Sequence, residues 1–476
     1  MFLVHFESLG CRLNQNETEA LADAFLQAGF GLFDTAKNPD DVLAVFVNTC
    51  TVTGKAEQKC RRVIRACAKK FPHALILVSG CYAQLESSSI EAISPAVKTF
   101  PGMQKGLLTQ FPKYFSEKLH AVSPAVIKIF PQCALEIFSQ FKTEMLSQNT
   151  AVKISAEQSS RSTTAPTPKT DKTHLQEKPA FAFDLTTRNF AFHSRASLKI
   201  QDGCNSSCTF CRIHLARGKS VSLDVDEAVA RAKKIEAAGK NEIVLTGVNL
   251  AQYVSGNFRF PQLLKKLLEH TDYVKFRISS FYPEAITADF LEVIKSERVC
   301  PYFHLSVQSG SERILQLMKR PADTAQIYAA CEGLRSVKDN PFLGADIITG
   351  FPTETEEDFA KTAKLCRDLA FAHIHSFPFS PRPGTPAYTF KPKVPERIAR
   401  ERINFLNTIS AQNYAAYLES VNGKIVTGIV ETFKTGKKIL TENYLLLPLK
   451  YGNFADNLKS GECVAVKIIG DCCELC

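Results

Sequence analysis

Near the start of the chain three short apolar, β-branched runs recur, MFLVHFESLGC, VLAVFVNTC and ALILVSGC, and each ends in a cysteine: Cys11, Cys50 and Cys81. Helix-like stretches follow Asn16 and Lys55, so the runs are expected to lie parallel in one α/β sheet. From about Ser197 to Ser380 the strand-then-helix alternation returns. The apolar runs there are ASLKIQDG, EIVLTGVN, VKFRISSF, YFHLSVQS, FLGADIITGF and IHSFPFS, separated by amphipathic stretches such as Asp224 to Ala238 and Thr355 to Leu369. Six such units predict a parallel barrel left incomplete, since the closed form takes eight. Past a helix of about Pro395 to Leu418 the period shortens, and GKIVTGIVETF, KKILTENYLLLPL and ECVAVKIIG read as strands of a small β-barrel. The fold class is therefore α/β: a parallel-sheet domain (1–115), an insertion (116–185), a partial (β/α)6 barrel (186–418) and a small all-β domain (419–476). The first half of the insertion predicts a small amphipathic helix around Ala134 to Phe141. Its second half, SAEQSSRSTTAPTPKTDKTHLQEKP, is rich in Ser, Thr, Pro and Lys and buries too little apolar surface to fold, so the insertion is expected to be a flexible linker.

Candidate chemistry enters through the cysteines. In QDGCNSSCTFCRIH, Cys204, Cys208 and Cys211 offer three thiolates to one metal cluster, and only three. A cubane has four irons, so such a loop closes three corners and leaves one iron open to a molecule that is not protein. A structural zinc site normally takes four ligands in two paired clips, and a second CxxC-type clip is missing nearby. The expected parallel sheet places the ends of its strands on one edge, where ligands of open α/β sheets bind, so Cys11, Cys50 and Cys81 would converge there as a second three-thiolate set. Buried structural cysteines are the plain alternative. Position argues against it, because each of the three ends a strand instead of sitting inside one.

Composition changes the picture modestly. The chain has 476 residues, enough for two or three cores, and 16 cysteines. Glu7 interrupts the first apolar run, no basic segment precedes it, and no stretch approaches the length of a transmembrane helix, so no membrane partner is expected and the cytoplasm is the expected compartment. A formal net charge of +10 favours a polyanionic partner. The sharpest basic patch holds Lys55, Lys59, Arg61, Arg62, Arg65, Lys69 and Lys70 against the single acid Glu57. It reads either as a solvated helix face or, since its helix starts near the expected ligand edge, as a phosphate contact. From Val421 onward charge is nearly balanced, which leaves no basic footprint there. Gly218-Lys219-Ser220 resembles the end of a P-loop, but Ile213 stands where that motif needs glycine. His373 and His375 share one strand face and read as satisfied barrel-core histidines rather than metal ligands, Cys60 and Cys67 as incidental, and Cys472, Cys473 and Cys476 as crowding a terminus expected to fray.

The CxxxCxxC loop with Phe210 before its third cysteine resembles the radical S-adenosylmethionine (SAM) superfamily. LGCRLNQNETE, VNTCTVTGKAEQKCRR and SGCYAQ resemble the N-terminal domain of the methylthiotransferases within it, and the TCTVT and GCYAQ spellings are most similar to the branch acting on N6-threonylcarbamoyladenosine in transfer RNA. SPRPGTPA, Ser380 to Ala387, matches the family as well, and the C-terminal strands stand where the family carries its RNA-binding TRAM domain. In the family the connection at 116–179 is shorter. The resemblance implies two [4Fe-4S] clusters, an auxiliary one on Cys11, Cys50 and Cys81 and a SAM-binding one on Cys204, Cys208 and Cys211. One SAM would methylate a sulfur associated with the auxiliary cluster. A second would yield a 5′-deoxyadenosyl radical that takes hydrogen from carbon 2 of the modified adenosine, which then captures the methylthio group. Phe210, Gly247, Asn249, Arg277, Ser279, Ser306, Gln308 and Asp346 are the candidate cofactor contacts, and Lys55, Lys59, Arg61, Arg62 and Arg65 the candidate RNA contacts. The implied partners are the anticodon stem-loop of tRNA and an electron donor such as flavodoxin or ferredoxin, with the enzyme a monomer. Two other readings stay open: a methylthiotransferase for isopentenyladenosine tRNA or a ribosomal protein, and a non-catalytic iron-sulfur RNA-binding regulator.

Overall fold

The computed structural model describes residues 2–121, 132–160, 181–433, 436–450 and 457–476, with the backbone alone for 148–160. The chain divides into two compact units, one of Met1–Thr187 with Leu215–Lys219, the other of Arg188–His214 with Ser220–Cys476.

In the first unit the chain runs β1 (Leu3–Ser8), α1 (Arg12–Gln27), β2 (Gly31–Leu32), β3 (Val42–Thr49), α2 (Gly54–Lys70), β4 (Leu75–Gly80), β5 (Val97–Thr99), α3 (Phe111–His120) and α4 (Gln132–Ser160). The strands form one parallel sheet in the order β2-β1-β3-β4-β5. Both faces of the sheet are covered, which is why β3 and β4 read as nearly continuous apolar runs. Alternate residues sort to opposite sides. Val4, Ala44, Phe46, Leu75 and Leu77 pack under α1, α3 and α4, while Val45, Val47, Ile76 and Val78 pack against Cys60, Ile64 and Cys67 of α2. Cys60 and Cys67 are thus core residues of the α2 face. The short edge strands β2 and β5 carry too few residues to show a pattern and were not expected from the sequence.

The insertion departs from expectation. The helix expected at Ala134 to Phe141 is present, but inside the longer α4, and its Ala134, Ile137, Phe138 and Phe141 are buried with Phe100, Phe111 and Phe115. Their i, i+3, i+4, i+7 spacing makes one apolar stripe that completes the core, so this part of 116–185 is a structural element of the first unit and not a linker. Of the Ser/Thr/Pro-rich stretch, residues 161–179 lie outside the described residues.

The second unit begins with six parallel strands: β6 (Ala196–Lys199), β7 (Glu242–Thr246), β8 (Lys275–Ile278), β9 (Tyr302–Gln308), β10 (Phe342–Thr349) and β11 (His373–Pro378). They form two three-stranded sheets, β8-β7-β6 and β9-β10-β11, joined by parallel bridges Phe276–Val299 and Phe281–Leu305. Helices between them include α5 (Val225–Ala237), α6 (Phe260–His270), α7 (Thr324–Val337) and α8 (Glu356–Asp368), and α9 (Glu396–Ser420) packs on β11. Their starts are written in the sequence: Asp224, Asp323 and Thr355 cap α5, α7 and α8 through their side-chain oxygens. This is the open (β/α)6 barrel expected from the pattern.

After α9 come β12 (Ile425–Phe433), β13 (Gly436–Thr441), β14 (Leu446–Pro448), β15 (Cys463–Ile469) and β16 (Cys472–Leu475), an antiparallel half-barrel in the order β14-β13-β12-β15-β16. The expectation of a frayed C-terminus is overturned: β16 pairs with β15, and Cys473 is fully buried among Val430, Ile439, Val466 and Ile468. No helix of the described residues is long and apolar enough to cross a membrane.

Truncating Phe138 to alanine is expected to destabilise the first unit by ~3–5 kcal/mol, the usual effect of emptying a buried phenylalanine site, measured by chemical denaturation. A linker residue would leave the transition where it was.

Candidate metal centres

In the first unit β1, β3 and β4 end on one edge, with each cysteine directly beyond. Cys11 is the N-cap of α1, Cys50 follows Thr49, and Cys81 opens the short helix Cys81–Leu85. The order reverses between β1 and β3, so the switch point at which ligands of such sheets bind falls between the strands that carry Cys11 and Cys50. Cys50 senses both of the other thiols. Burial, then the neighbouring Cys81 and Cys11, push the Cys50 thiol up to about 12.

Two glycines allow this approach. Gly10 has φ +114° and Gly80 φ +99°, conformations that favour glycine. A Cβ on Gly10 would stand 2.7 Å from Cys50 Cβ, and one on Gly80 would lie 2.4 Å from the Thr49 carbonyl oxygen. Below the cysteines, Ser8, Asn48 and Ser79 are register partners across the three strands. Ser8 Oγ, Asn48 Oδ1 and Ser79 Oγ are all buried without a hydrogen-bond partner, an unusual density of unsatisfied oxygen. Three convergent thiols, a glycine cradle and unsatisfied polar atoms beside it fit a cluster held by three protein ligands.

In the second unit Cys204, Cys208 and Cys211 lie on the loop after β6. Gln201, fully buried, organises that loop: its amide donates to the carbonyls of Asp202 and Gly203 (2.9 and 2.7 Å), and its oxygen accepts the Asn249 N–H (2.8 Å). The Cys211 thiol is pushed up to about 12, by burial above all and further by Cys208 and Cys204, against the Ile213 N–H that favours the thiolate. Each sulfur has one N–H donor: Ser206 N for Cys204 (3.4 Å), Arg320 for Cys208 (3.5 Å) and Ile213 N for Cys211 (3.4 Å). Arg320 is held by the Ser306 carbonyl (2.6 Å) and stacks 4.3 Å over the Tyr282 ring. Such donors stabilise thiolate ligands of iron–sulfur clusters, so this loop too fits a cluster with three protein ligands. Among the described residues no group of three or more His, Cys, Asp or Glu is arranged to hold a single metal ion.

The candidate contacts on the barrel separate into two groups. Phe210 packs with Ile314, Met318, Ile348 and Phe351 next to Cys211. A Cβ on Gly247 would lie 2.9 Å from Gln201 Oε1, and the Asn249 side chain caps the turn at Ala251. Ser306 is buried beside Arg320. Ser279 Oγ and Gln308 Oε1 are buried and unpartnered, and Gln308 adopts φ +77°; these two have polar atoms to offer a ligand. Arg277 and Asp346 are corrections. The Arg277 guanidinium binds Glu242 (2.7 and 2.8 Å) at the start of β7 and the carbonyls of Thr441 and Glu442, because a buried arginine requires a buried carboxylate. Glu242 also takes Arg195 (3.2 Å), and although burial opposes ionisation, the two arginines bring its carboxyl down to about 2. Asp346 is committed to His304 (3.0 Å) and His375 (2.9 Å); burial again opposes, and the histidines hold its carboxyl well below the usual range. His375 is thus satisfied, but it and His373 are exposed, not the barrel-core histidines expected.

On α2, capped by Thr53, Lys55, Lys59, Arg62 and Arg65 are exposed while Cys60, Ile64 and Cys67 face the sheet. Arg61 is diverted from the candidate RNA surface, donating to the Tyr82 hydroxyl (2.6 Å). Arg217 and Arg320 are functional candidates that sequence reasoning missed. Nothing in the local pattern around either names the sulfur it reaches.

Residues 198–366 match the radical SAM superfamily, and residues 3–102 match an uncharacterised protein family, UPF0004. The chain is 46% identical to the threonylcarbamoyladenosine tRNA methylthiotransferase of Treponema pallidum, covering 94% of this chain and 95% of that protein. It is 32% identical to the enzyme of the same name from Aquifex aeolicus (93% and 95% covered), and 29% identical to the tRNA-2-methylthio-N(6)-dimethylallyladenosine synthase of Clostridium botulinum (97% and 93%). Among solved structures the fold is similar to the radical SAM methyltransferase TsrM of Kitasatospora setae, with a TM-score of 0.54 at 12% identity, covering 81% of this chain and 73% of that one.

Gly80→Ala is expected to displace Cys81, since both the positive φ and the Thr49 carbonyl oppose a Cβ, at ~1–3 kcal/mol of backbone strain alone. Under native conditions Cys50 and Cys81, now 7% and 5% exposed, should become measurably faster to alkylate. Unchanged alkylation rates would show that the glycine is dispensable.

Proposed function

The chain belongs to the methylthiotransferase family of radical SAM enzymes, and from that premise we propose that it converts N6-threonylcarbamoyladenosine beside the anticodon of tRNA to its 2-methylthio derivative. The observation that carries the substrate is the 46% identity, over nearly the whole of both chains, to a relative named for that reaction. The relative named for dimethylallyladenosine stands lower, at 29%.

Cys11, Cys50 and Cys81 would hold an auxiliary [4Fe-4S] cluster, and Cys204, Cys208 and Cys211 a second whose open iron takes SAM. When bound, the two groups supply the sulfur chemistry and the one-electron cleavage of SAM that forms a 5′-deoxyadenosyl radical. The protein's own contributions are positional and electrostatic. Gly10 and Gly80 let the strand-end sulfurs converge. Ser206 N–H, Ile213 N–H and Arg320 each stabilise one thiolate of the second set, and Phe210 with its aromatic and aliphatic neighbours excludes water beside it. Ser279 and Gln308 offer the unpaired polar atoms that a cofactor with amino, carboxylate and ribose groups requires. Arg277 and Asp346 drop out of this set.

Lys55, Lys59, Arg62 and Arg65 form the surface that meets tRNA phosphates, positioning the anticodon arm without reading its sequence. The C-terminal half-barrel, in the place of a TRAM domain, adds a second RNA contact. The enzyme works as a monomer in the cytoplasm, where its tRNA substrate resides, with an external one-electron donor such as flavodoxin or ferredoxin.

Two measurements test this reading. Expressed in a bacterial strain deleted for its own threonylcarbamoyladenosine methylthiotransferase, the chain should restore 2-methylthio-N6-threonylcarbamoyladenosine in the nucleoside mass spectrum of tRNA. Recovery of the isopentenyl species alone would reassign the substrate, and recovery of neither, with no 5′-deoxyadenosine formed from SAM and dithionite, would reject the enzyme. Reversing Lys59 and Arg62 to glutamate should weaken tRNA binding and lower the slope of log affinity against log salt by about 1–2, as expected for one or two lost phosphate contacts. An unaltered slope would return α2 to a merely solvated face.

A further inference from the structure

We infer that Arg217 is a positioning residue for the centre at Cys11, Cys50 and Cys81: its guanidinium donates to the Cys81 sulfur and eases one-electron reduction of the cluster bound there. The inference rests on the cluster reading above.

Arg217 ends the short helix Ile213–Arg217, six positions beyond Cys211, and the segment Leu215–Lys219 packs within the first unit although the residues on both sides of it belong to the second. The side chain is 5% exposed. Its Nε lies 3.2 Å from Cys81 Sγ. One terminal nitrogen donates to Glu17 Oε1 (3.2 Å), and the other to Asn14 Oδ1 (2.7 Å) and Glu17 Oε2 (3.4 Å). Both partners are themselves fixed. Glu17 is 1% exposed and also takes the Lys105 ammonium. The Asn14 amide donates to the carbonyls of Leu9 (2.8 Å) and Thr49 (3.0 Å), which directly precede Gly10 and Cys50. The same asparagine that orients the arginine therefore also ties together the two strand ends that carry Cys11 and Cys50.

A guanidinium is a rigid planar fork with its donors in fixed directions. With both terminal nitrogens pinned, the Nε–H has one direction left, and it leads to sulfur. A sulfur that ligates iron accepts such an N–H as a charge-assisted bond. An N–H bond and a positive charge at a ligating sulfur draw electron density from an iron–sulfur cluster and raise its potential. The step is balanced simply: an external reductant gives one electron, the cluster gains one negative charge, and no proton or covalent bond changes hands. Glu17 and Asn14 orient the arginine, and Asn14 Oδ1 also stands 3.9 Å from Cys11 Sγ.

The test uses the full chain carrying C204A, C208A and C211A, so that only the centre at Cys11, Cys50 and Cys81 can load, reconstituted anaerobically with iron and sulfide. Its potential is measured by dithionite titration followed by electron paramagnetic resonance, with Arg217 intact and as R217K and R217Q. R217Q should be harder to reduce by about tenfold in the equilibrium, 59 mV for one electron, with R217K between, at equal iron content. A merely structural arginine would alter stability or loading but not the potential of the loaded fraction. Should R217Q fail to retain iron, R217K decides in its place, a negative shift supporting the inference. An unshifted potential in the decisive variant overturns it and leaves the cluster reading standing, while a triple variant that binds no iron at all overturns both.

Discussion

Thiols crowded together away from water resist ionisation, and they ionise only where a cation receives their charge. Cys50 and Cys211 express that constraint, each pushed up to about 12 by burial and by the two sulfurs nearby. Both places spend conformational freedom to achieve such crowding, through Gly10 and Gly80 at one and the Gln201-braced loop at the other. Iron relieves the penalty outright, because binding deprotonates the thiols and pairs their charge. On the proposed reading, three sulfurs at each place would leave one iron of a cubane without a protein ligand, open to an exogenous molecule.

The two centres reach the same ligand count by different routes. Cys204, Cys208 and Cys211 are neighbours in sequence, gathered on one loop that Gln201 braces. Cys11, Cys50 and Cys81 are dispersed, and a parallel sheet gathers them because parallel strands must all end on the same side. The donors around them differ accordingly. The loop supplies backbone N–H groups from Ser206 and Ile213 plus Arg320, whereas the sheet edge receives a side chain, Arg217, from a distant part of the chain. The row Ser8, Asn48 and Ser79 adds buried oxygen beneath the sheet-edge cysteines.

Much of this was legible before the structure. Strand runs ending in cysteine gave away both the parallel sheet and the edge at which its cysteines lie, and the amphipathic stretches Asp224 to Ala238 and Thr355 to Leu369 marked two helices of the barrel. What escaped was anything set by a partner far along the chain. Arg277 and Asp346 sit at plausible strand positions, but their roles are decided by Glu242, His304 and His375, which sequence order does not bring near. The phenylalanines of α4 carried a clear stripe, yet the polar text after them made the whole insertion read as a linker. Arg217 lies in a stretch whose visible feature was an incomplete phosphate-loop motif, and its reach to Cys81 depends on tertiary packing alone.

The measurement that bears most directly on the open-corner claim is Mössbauer spectroscopy of the anaerobically purified, iron-57-enriched chain, with and without SAM. Two cubanes with three cysteine ligands each predict about eight irons per chain, and added SAM should alter the signal of the open iron in the cubane of Cys204, Cys208 and Cys211, leaving its three cysteine-ligated irons unchanged. A single cubane, or spectra that SAM leaves untouched, would contradict the account.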